Sequence, residues 1–401
     1  MSSPKPVPKR IAVFLDGTWN TLLDNTNVWR LKSLCKQSDE QVIYYSKGVG
    51  TQVGTKIIGG ALGYGIDQGV IDAYEWLIEN FNDGDKLYIF GFSRGAYTAR
   101  SLSGLISKCG LLYQGAPLSV RALYDRYRNR DTKGRKVNPR TIRQLVVDNI
   151  ENPEINGPKD QQERWMLKYC HKPDIHFLGV WDTVGSLGLR LPFGDIPYIS
   201  SDSYQFLETD LRLTNLHAYH ALAIDEHRQK FAPTLWTKTA DNLAKPREIE
   251  AVEQRWFAGA HANVGGGYPN DLLAQRPLQW LMSKAKILGL EFRYEVDIDG
   301  DISDSECKDS YADFMGGLYK YLPFSKKHFR VIGNPKKEEY LTEPKSINET
   351  IDRSVFERWH KRKDYRPENL KSWADRHGIS IESLIPQQTV KADDPTVAVP
   401  D

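Results

Sequence analysis

Cysteine is scarce in this 401-residue chain: Cys35, Cys109, Cys170 and Cys307 are all there are, and no two form a Cys-x-x-Cys pair. That pattern points to neither a thiolate metal site nor a disulfide framework, and a reducing compartment fits it best. No run of about 18 apolar residues occurs, so no membrane-spanning helix is expected. The first ten residues, a Pro/Lys-rich stretch, lack the apolar segment of a secretory signal. A cytoplasmic protein is therefore expected, with any export using a route that reads no cleavable signal. Charge of one sign is not in excess either: 54 Lys and Arg against 52 Asp and Glu leave a formal charge of +2. So balanced a chain does not suit nucleic acid or a strongly anionic surface. The pairs Lys326-Lys327 and Lys336-Lys337 read as solvated surface that allows peripheral contact with lipid headgroups. Repeats and low-complexity blocks are missing. The oligomeric state is left open.

What is present is an alternation of strand and helix patterns. Arg10 to Leu15 reads as a buried strand ending in Asp16-Gly17-Thr18, and Asn27 to Lys36 as the following helix. Gln41 to Ser46 is the next strand, and a Gly-rich stretch leads into a helix over Ile66 to Asn80. Further strands are expected at Leu87 to Phe90, Asp174 to Trp181 and Arg255 to Ala258, which reads as the last well-marked strand of the chain. Helices are expected at Ala96 to Ile106, 117–130, 138–150, Asn215 to Ile224 and Pro277 to Leu288. The order predicts an α/β fold, a mostly parallel sheet with helices on both faces and helical insertions near 113–172 and 190–214. Within the first insertion 151–172 reads as a polar loop. The domain expectation is a disordered tail over 1–9, a catalytic domain over 10–290, and a helical and loop extension over 291–401 packing on it, flexible from 386.

The chemistry concentrates at Lys86-Leu-Tyr-Ile-Phe-Gly91-Phe-Ser93-Arg-Gly95-Ala. Gly-x-Ser-x-Gly is unspecific by itself, but here an apolar strand runs into it and a helical pattern runs out. That context describes a nucleophile elbow. A strand turning abruptly into a helix crowds the backbone around the serine, and Gly91 and Gly95 relieve the crowding by having no Cβ. Ser93 then sits at a helix N-terminus, where N–H groups and the positive dipole end favour an oxyanion.

A serine nucleophile needs a base and an acid to orient that base. Asp182 follows the strand ending Val180-Trp181, and His261 follows the strand through Ala258, both at the sheet edge that carries the elbow. The chain order Ser, Asp, His is the order of α/β-hydrolases. Turn capping by Asp182 and a buried structural role for His261 are the plain alternatives. Asp16 is a rival acid at the same edge. Its turn is assigned instead to the oxyanion hole, formed by the backbone N–H of Gly17 or Thr18 with that of Arg94. His217, His220 and His227 near Asp225 and Glu226 hint at a metal, but no His-Glu-x-x-His spacing occurs. The stretch Asp297 to Ser303 imitates a calcium loop with Ile302 at the sixth position and Lys308 at the twelfth, so a polar loop is expected. Gly59 to Gly65 matches neither a dinucleotide fingerprint nor a P-loop.

Phe14-Leu-Asp-Gly-Thr-Trp-Asn20, Gly91 to Arg100, Val180-Trp-Asp-Thr-Val-Gly185, Leu222 to Arg228 with Pro233 to Trp236, and Gly259 to Tyr268 together carry a resemblance. They resemble the uncharacterised α/β-hydrolase family that contains the catalytic domain of type VI secretion phospholipase effectors, in order from about 10 to 290. The resemblance implies Ser93 as nucleophile, Asp182 as orienting acid and His261 as base. Many relatives carry aspartate where this chain has Asn263, and the effector phospholipases are typically longer, with membrane-engaging insertions.

The expectation is an α/β-hydrolase-like serine esterase, acting without metal or organic cofactor on a carboxylic ester, a glycerophospholipid or other acyl lipid. A non-catalytic binding module on the same fold, and a metal-dependent phosphoesterase using Asp16, Asp225 and the nearby histidines, are the competing classes.

Overall fold

A computed structural model describes residues 7–17, 25–48, 61–128, 139–184, 211–238, 245–298, 300–313, 319–321, 326–334 and 345–400. Strand β1 (Arg10–Leu15) is followed by α1 (Asn27–Leu34), β2 (Gln41–Ser46), α2 (Ala61–Asn80), β3 (Lys86–Phe92) and α3 (Arg94–Cys109). After the short β4 (Leu111–Leu112) come α4 (Val120–Tyr127), α5 (Ile142–Glu151), α6 (Pro153–Asn156), α7 (Gln161–Tyr169) and the short β5 (Cys170–His171). The chain returns to the sheet through β6 (Ile175–Trp181), β7 (Asn215–Ala223) and β8 (Val252–Phe257), then forms α8 (His261–Gly265) and α9 (Gln275–Ile287). Beyond 291 lie β9 (Glu349–Ile351), α10 (Arg353–Lys361), α11 (Glu368–His377), β10 (Thr389–Lys391) and β11 (Ala398–Val399).

The large sheet has the order β11-β10-β9-β8-β7-β6-β3-β1-β2. From β2 to β9 every pairing is parallel, and β10 and β11 extend the edge antiparallel. Period-two alternation explains how one sheet serves two cores. In β1, Ile11, Val13 and Leu15 join the cluster under α2 and α3, while Ala12 and Phe14 join the cluster under α1 and α9. A third cluster, with Trp256, Ile351, Trp359 and Trp373, seals the β8–β9 end against α10 and α11. Because β2 and β3 flank β1 on opposite sides, the winding direction reverses there. A crevice opens at such a reversal, at the C-terminal strand ends. Among the described residues, no helix is long and apolar enough to cross a membrane.

Several expectations need correction. Asn215 to Ala223 is a strand, not a helix. Its Leu and Ala residues favour a helix and it has no β-branched residue, but between β6 and β8 it is covered on both faces. Burial on both faces removes the alternation that announces a strand. The stretch 151–172 holds α6 and α7, the latter capped by Asp160, which accepts from the Glu163 N–H at 2.8 Å. Arg255 to Ala258 does not end the sheet: β9, β10 and β11 add eight residues of strand, in pieces too short to show a period. The segment from 386, read as flexible, is paired through β10 and β11, and buried Arg255 donates to the Pro400 carbonyl at 3.1 Å. Residues 1–6 and 185–210, which carry most of the expected tail and second insertion, lie outside the described residues, as does Gly59 of the Gly-rich stretch; α2 begins within that stretch at Ala61.

Candidate active site

Ser93 joins β3 to α3 with φ 57° and ψ −123°, a conformation side chains rarely adopt. The two glycines enforce it. A Cβ on Gly91 would lie 2.4 Å from the Gly95 carbonyl oxygen, and a Cβ on Gly95 would lie 2.2 Å from the Leu15 carbonyl oxygen at the end of β1. The Ser93 N–H donates to the Trp181 carbonyl at 3.1 Å. The elbow is thereby fastened to the residue just before Asp182, and Ser93 itself is half-buried.

Asp182, also at positive φ (38°), is wholly buried, and its Oδ2 lies 2.5 Å from Nδ1 of His261. The pairing makes Nδ1 the donor and leaves Nε2 as the basic nitrogen. The imidazole packs on Phe92, the residue before Ser93, at 4.7 Å between ring centroids, and meets Phe231 edge-on at 5.2 Å. The structure thus brings Asp182 and His261 into contact and sets the His261 ring against the elbow. Burial by itself pushes the Asp182 carboxyl up. The guanidinium of Arg330 and the bond from His261 outweigh it and hold Asp182 well below the usual carboxylate range.

Arg330 is the residue that sequence reasoning missed. It is 1% exposed and donates to both Asp182 oxygens, Nη1 to Oδ1 at 2.6 Å and Nη2 to Oδ2 at 3.0 Å. The same nitrogens donate to the carbonyls of Ala223 at 2.8 Å and Phe231 at 2.5 Å. In Lys326-Lys-His-Phe-Arg330-Val it looks like one more solvated cation. Its neighbours are inverted, Phe329 and Val331 being exposed and Arg330 buried. Period-two alternation with the charge inward was the only available signal.

The segment Leu222 to Arg228, the end of β7 and the loop after it, supports the histidine. Asp225 accepts from the Gly259 N–H at 2.7 Å and the Tyr365 hydroxyl at 3.1 Å; burial pushes its carboxyl up. Glu226 accepts from the His261 N–H at 3.3 Å and the Ser310 hydroxyl at 2.8 Å. Burial again opposes its charge, but the two-pronged bond from Arg228 wins and brings it down to about 2. His220, driven down to about 3 chiefly by burial, accepts the Thr183 N–H on Nε2 at 3.0 Å and so braces the turn after Asp182.

Asp225 is therefore committed to backbone and hydroxyl donors, and Glu226 to these and to the Arg228 guanidinium. His217 and His220 lie three apart on β7, facing opposite sides. Among the described residues no three His, Cys, Asp or Glu side chains gather around a common point. Asp297 to Ser303 is partly outside the described residues; Asp301 caps its short helical turn and pairs with Lys361.

Asp16 is buried and accepts from the Thr26 hydroxyl at 2.6 Å and the Tyr45 hydroxyl at 3.1 Å. Its other oxygen takes the Gly17 N–H at 2.8 Å, which corrects the expectation that this N–H serves an oxyanion hole. The N–H is already engaged by a charged acceptor held one residue away, and that bond would have to break before it could serve an oxyanion. Thr18 lies outside the described residues, and Arg94 opens α3 directly after Ser93. Asn263 accepts from the Ala260 N–H at 3.1 Å and donates to Asp271 at 3.1 Å. Burial pushes the Asp271 carboxyl up to about 6. With Arg30, Asn270, Gln275 and the backbone of Gly266 and Gly267, Asp271 lines a cavity of about 410 Å³ on the loop that leaves His261.

The family described as "T6SS, Phospholipase effector Tle1-like, catalytic domain" matches residues 9–284. An uncharacterised protein of Saccharomyces cerevisiae, YEL023C, is 27% identical over 258 residues, covering 59% of this chain and 34% of the relative. The chain thus spans about a third of the length of that relative. Among solved structures, an uncharacterised protein from Pseudomonas aeruginosa is 18% identical with a TM-score of 0.40, over 71% of this chain and 46% of that one. The Tle1 effector bound to the VgrG spike of the type VI secretion system is likewise 18% identical, with a TM-score of 0.31 over 66% and 52%. Superpositions this loose transfer no residue roles.

Proposed function

Because the chain belongs to the Tle1-like catalytic domain family of type VI secretion phospholipase effectors, we propose that it is a serine hydrolase cleaving a carboxylic ester of a phospholipid or other acyl lipid. The observation that carries this is the 2.5 Å pairing of Asp182 with His261 Nδ1 at the strand end beside Ser93, which stands in a strained conformation at the start of α3. In this reading the Ser93 hydroxyl attacks the ester carbonyl while Nε2 of His261 takes its proton. The same nitrogen then returns the proton to the departing alcohol. Asp182 holds the tautomer. The Arg94 N–H at the start of α3 supplies one oxyanion donor, reinforced by the helix dipole, and the Thr18 N–H is the proposed second. A water molecule activated by His261 releases the acyl group from Ser93 and restores the enzyme.

The test is a lipidomic comparison of products made by wild-type protein and Ser93→Ala, with fluorophosphonate labelling of Ser93 as a second readout. Loss of about 10³-fold or more in ester hydrolysis is expected on removing the nucleophile, and a chelator is expected to leave the wild-type rate intact. Unchanged hydrolysis by folded Ser93→Ala would overturn the reading.

A further inference from the structure

We infer that Arg330 is a positioning residue for the Asp182–His261 pair, so that competence of the site depends on the segment beyond the matched catalytic region. The inference rests on the serine-hydrolase reading above, and it deepens it. Residues 9–284 account for Ser93, Asp182 and His261. The carboxylate in that set is nevertheless incomplete without Arg330, because Asp182 is wholly buried and a buried carboxylate needs compensation.

The contacts define how the compensation acts. A carboxylate has two oxygens and about four acceptor positions. On Asp182, Oδ1 accepts from Arg330 Nη1 at 2.6 Å and the Ala223 N–H at 3.1 Å. Oδ2 accepts from His261 Nδ1 at 2.5 Å and Arg330 Nη2 at 3.0 Å. The planar guanidinium grips both oxygens at once, so the plane of the carboxylate is set and Oδ2 is directed at the imidazole. Its bonds to the Ala223 and Phe231 carbonyls anchor that plane to the end of β7 and to the residue whose ring abuts His261. Among the described residues its side-chain bonds go to Asp182, Ala223 and Phe231, so it acts through Asp182. Lysine would supply the charge without the fork.

The full-length protein is compared as wild type, Arg330→Met, Arg330→Lys and Ser93→Ala, using p-nitrophenyl butyrate, with thermal melting and fluorophosphonate titration to count folded, competent sites. For Arg330→Met, kcat per competent site is expected to fall by about 10²-fold, the effect of misplacing a catalytic group by about 1 Å, with KM unchanged. Arg330→Lys is expected to recover part of that loss. If Arg330→Met does not fold, Arg330→Lys carries the test, its kcat falling below wild type. A folded variant with lowered melting temperature but wild-type kcat, or with a loss confined to KM, overturns the inference while inactive Ser93→Ala leaves the hydrolase reading standing. Hydrolysis by Ser93→Ala at the wild-type rate sinks both.

Discussion

Gly95→Ala sets two opposed effects against each other. Gly95 is in the first turn of α3, and helix propensity alone favours alanine there by about 1 kcal/mol. The added Cβ, however, would meet the Leu15 carbonyl oxygen at 2.2 Å and the Asp16 carbonyl group at 2.6 Å. These are backbone atoms of a buried parallel strand end, and no rotamer can move them aside. Reaching an ordinary contact requires α3 and β1 to part by about 1 Å. Overpacking of this kind costs about 1–3 kcal/mol, and a shift of about 1 Å at a reacting group costs about 10²-fold in rate. The expected net result is a loss of stability in urea unfolding together with a fall of about two decades in ester hydrolysis. Gly115→Ala provides the control: φ is +72° with nothing within 4 Å, so a backbone cost of about 1 kcal/mol and no change in rate are expected. Gly95→Ala at or above wild-type stability, with wild-type rate, would refute the steric account of the elbow.

Ser93→Gly is expected to be inactive and yet to melt above Ser93→Ala, because glycine relieves a conformation costing about 1–3 kcal/mol and the serine side chain makes no cap bond that would be lost. Calorimetry of the two variants decides it. Asn263→Asp would put a second carboxylate where Asn263 Nδ2 now donates to Asp271 at 3.1 Å, pushing the Asp271 carboxyl above its present value of about 6. A carboxyl whose folded pKa is raised contributes stability that is full below its unfolded value and is lost as pH rises through the folded one. The variant is therefore expected to match wild type near pH 5 and to be weaker by about 1–3 kcal/mol near pH 8. Urea melts showing the same difference at both pH values would refute it.

The elbow was legible because its signal is local: strand, glycine spacing and helix lie within about 25 consecutive residues, and each has its own steric cause. Asp182 and His261 were legible by position, since both follow strands whose C-terminal ends share an edge with Ser93. Strand β7 was not, because a strand covered on both faces carries no period and its Leu and Ala residues favour the wrong state. The edge strands β9 to β11 were too short to announce themselves. Arg330 lay further out of reach. Its partner is 148 positions away, and the one local signal, a charge between two apolar residues in a basic run, is too short to set it apart from solvated cations. The Gly17 amide shows the reverse error: the turn was identified, but its hydrogen bond is consumed by the neighbouring Asp16 side chain.

The origin of Arg330 so far along the chain has a consequence for biogenesis. A ribosome delivers the serine, the aspartate and the histidine in that order, and about 70 further residues must emerge before the guanidinium arrives. Until then a nascent chain holds all three side chains without the guanidinium that grips both oxygens of Asp182. On the proposed reading, a chain cut short between His261 and Arg330 would carry the serine, the acid and the base and still be dormant.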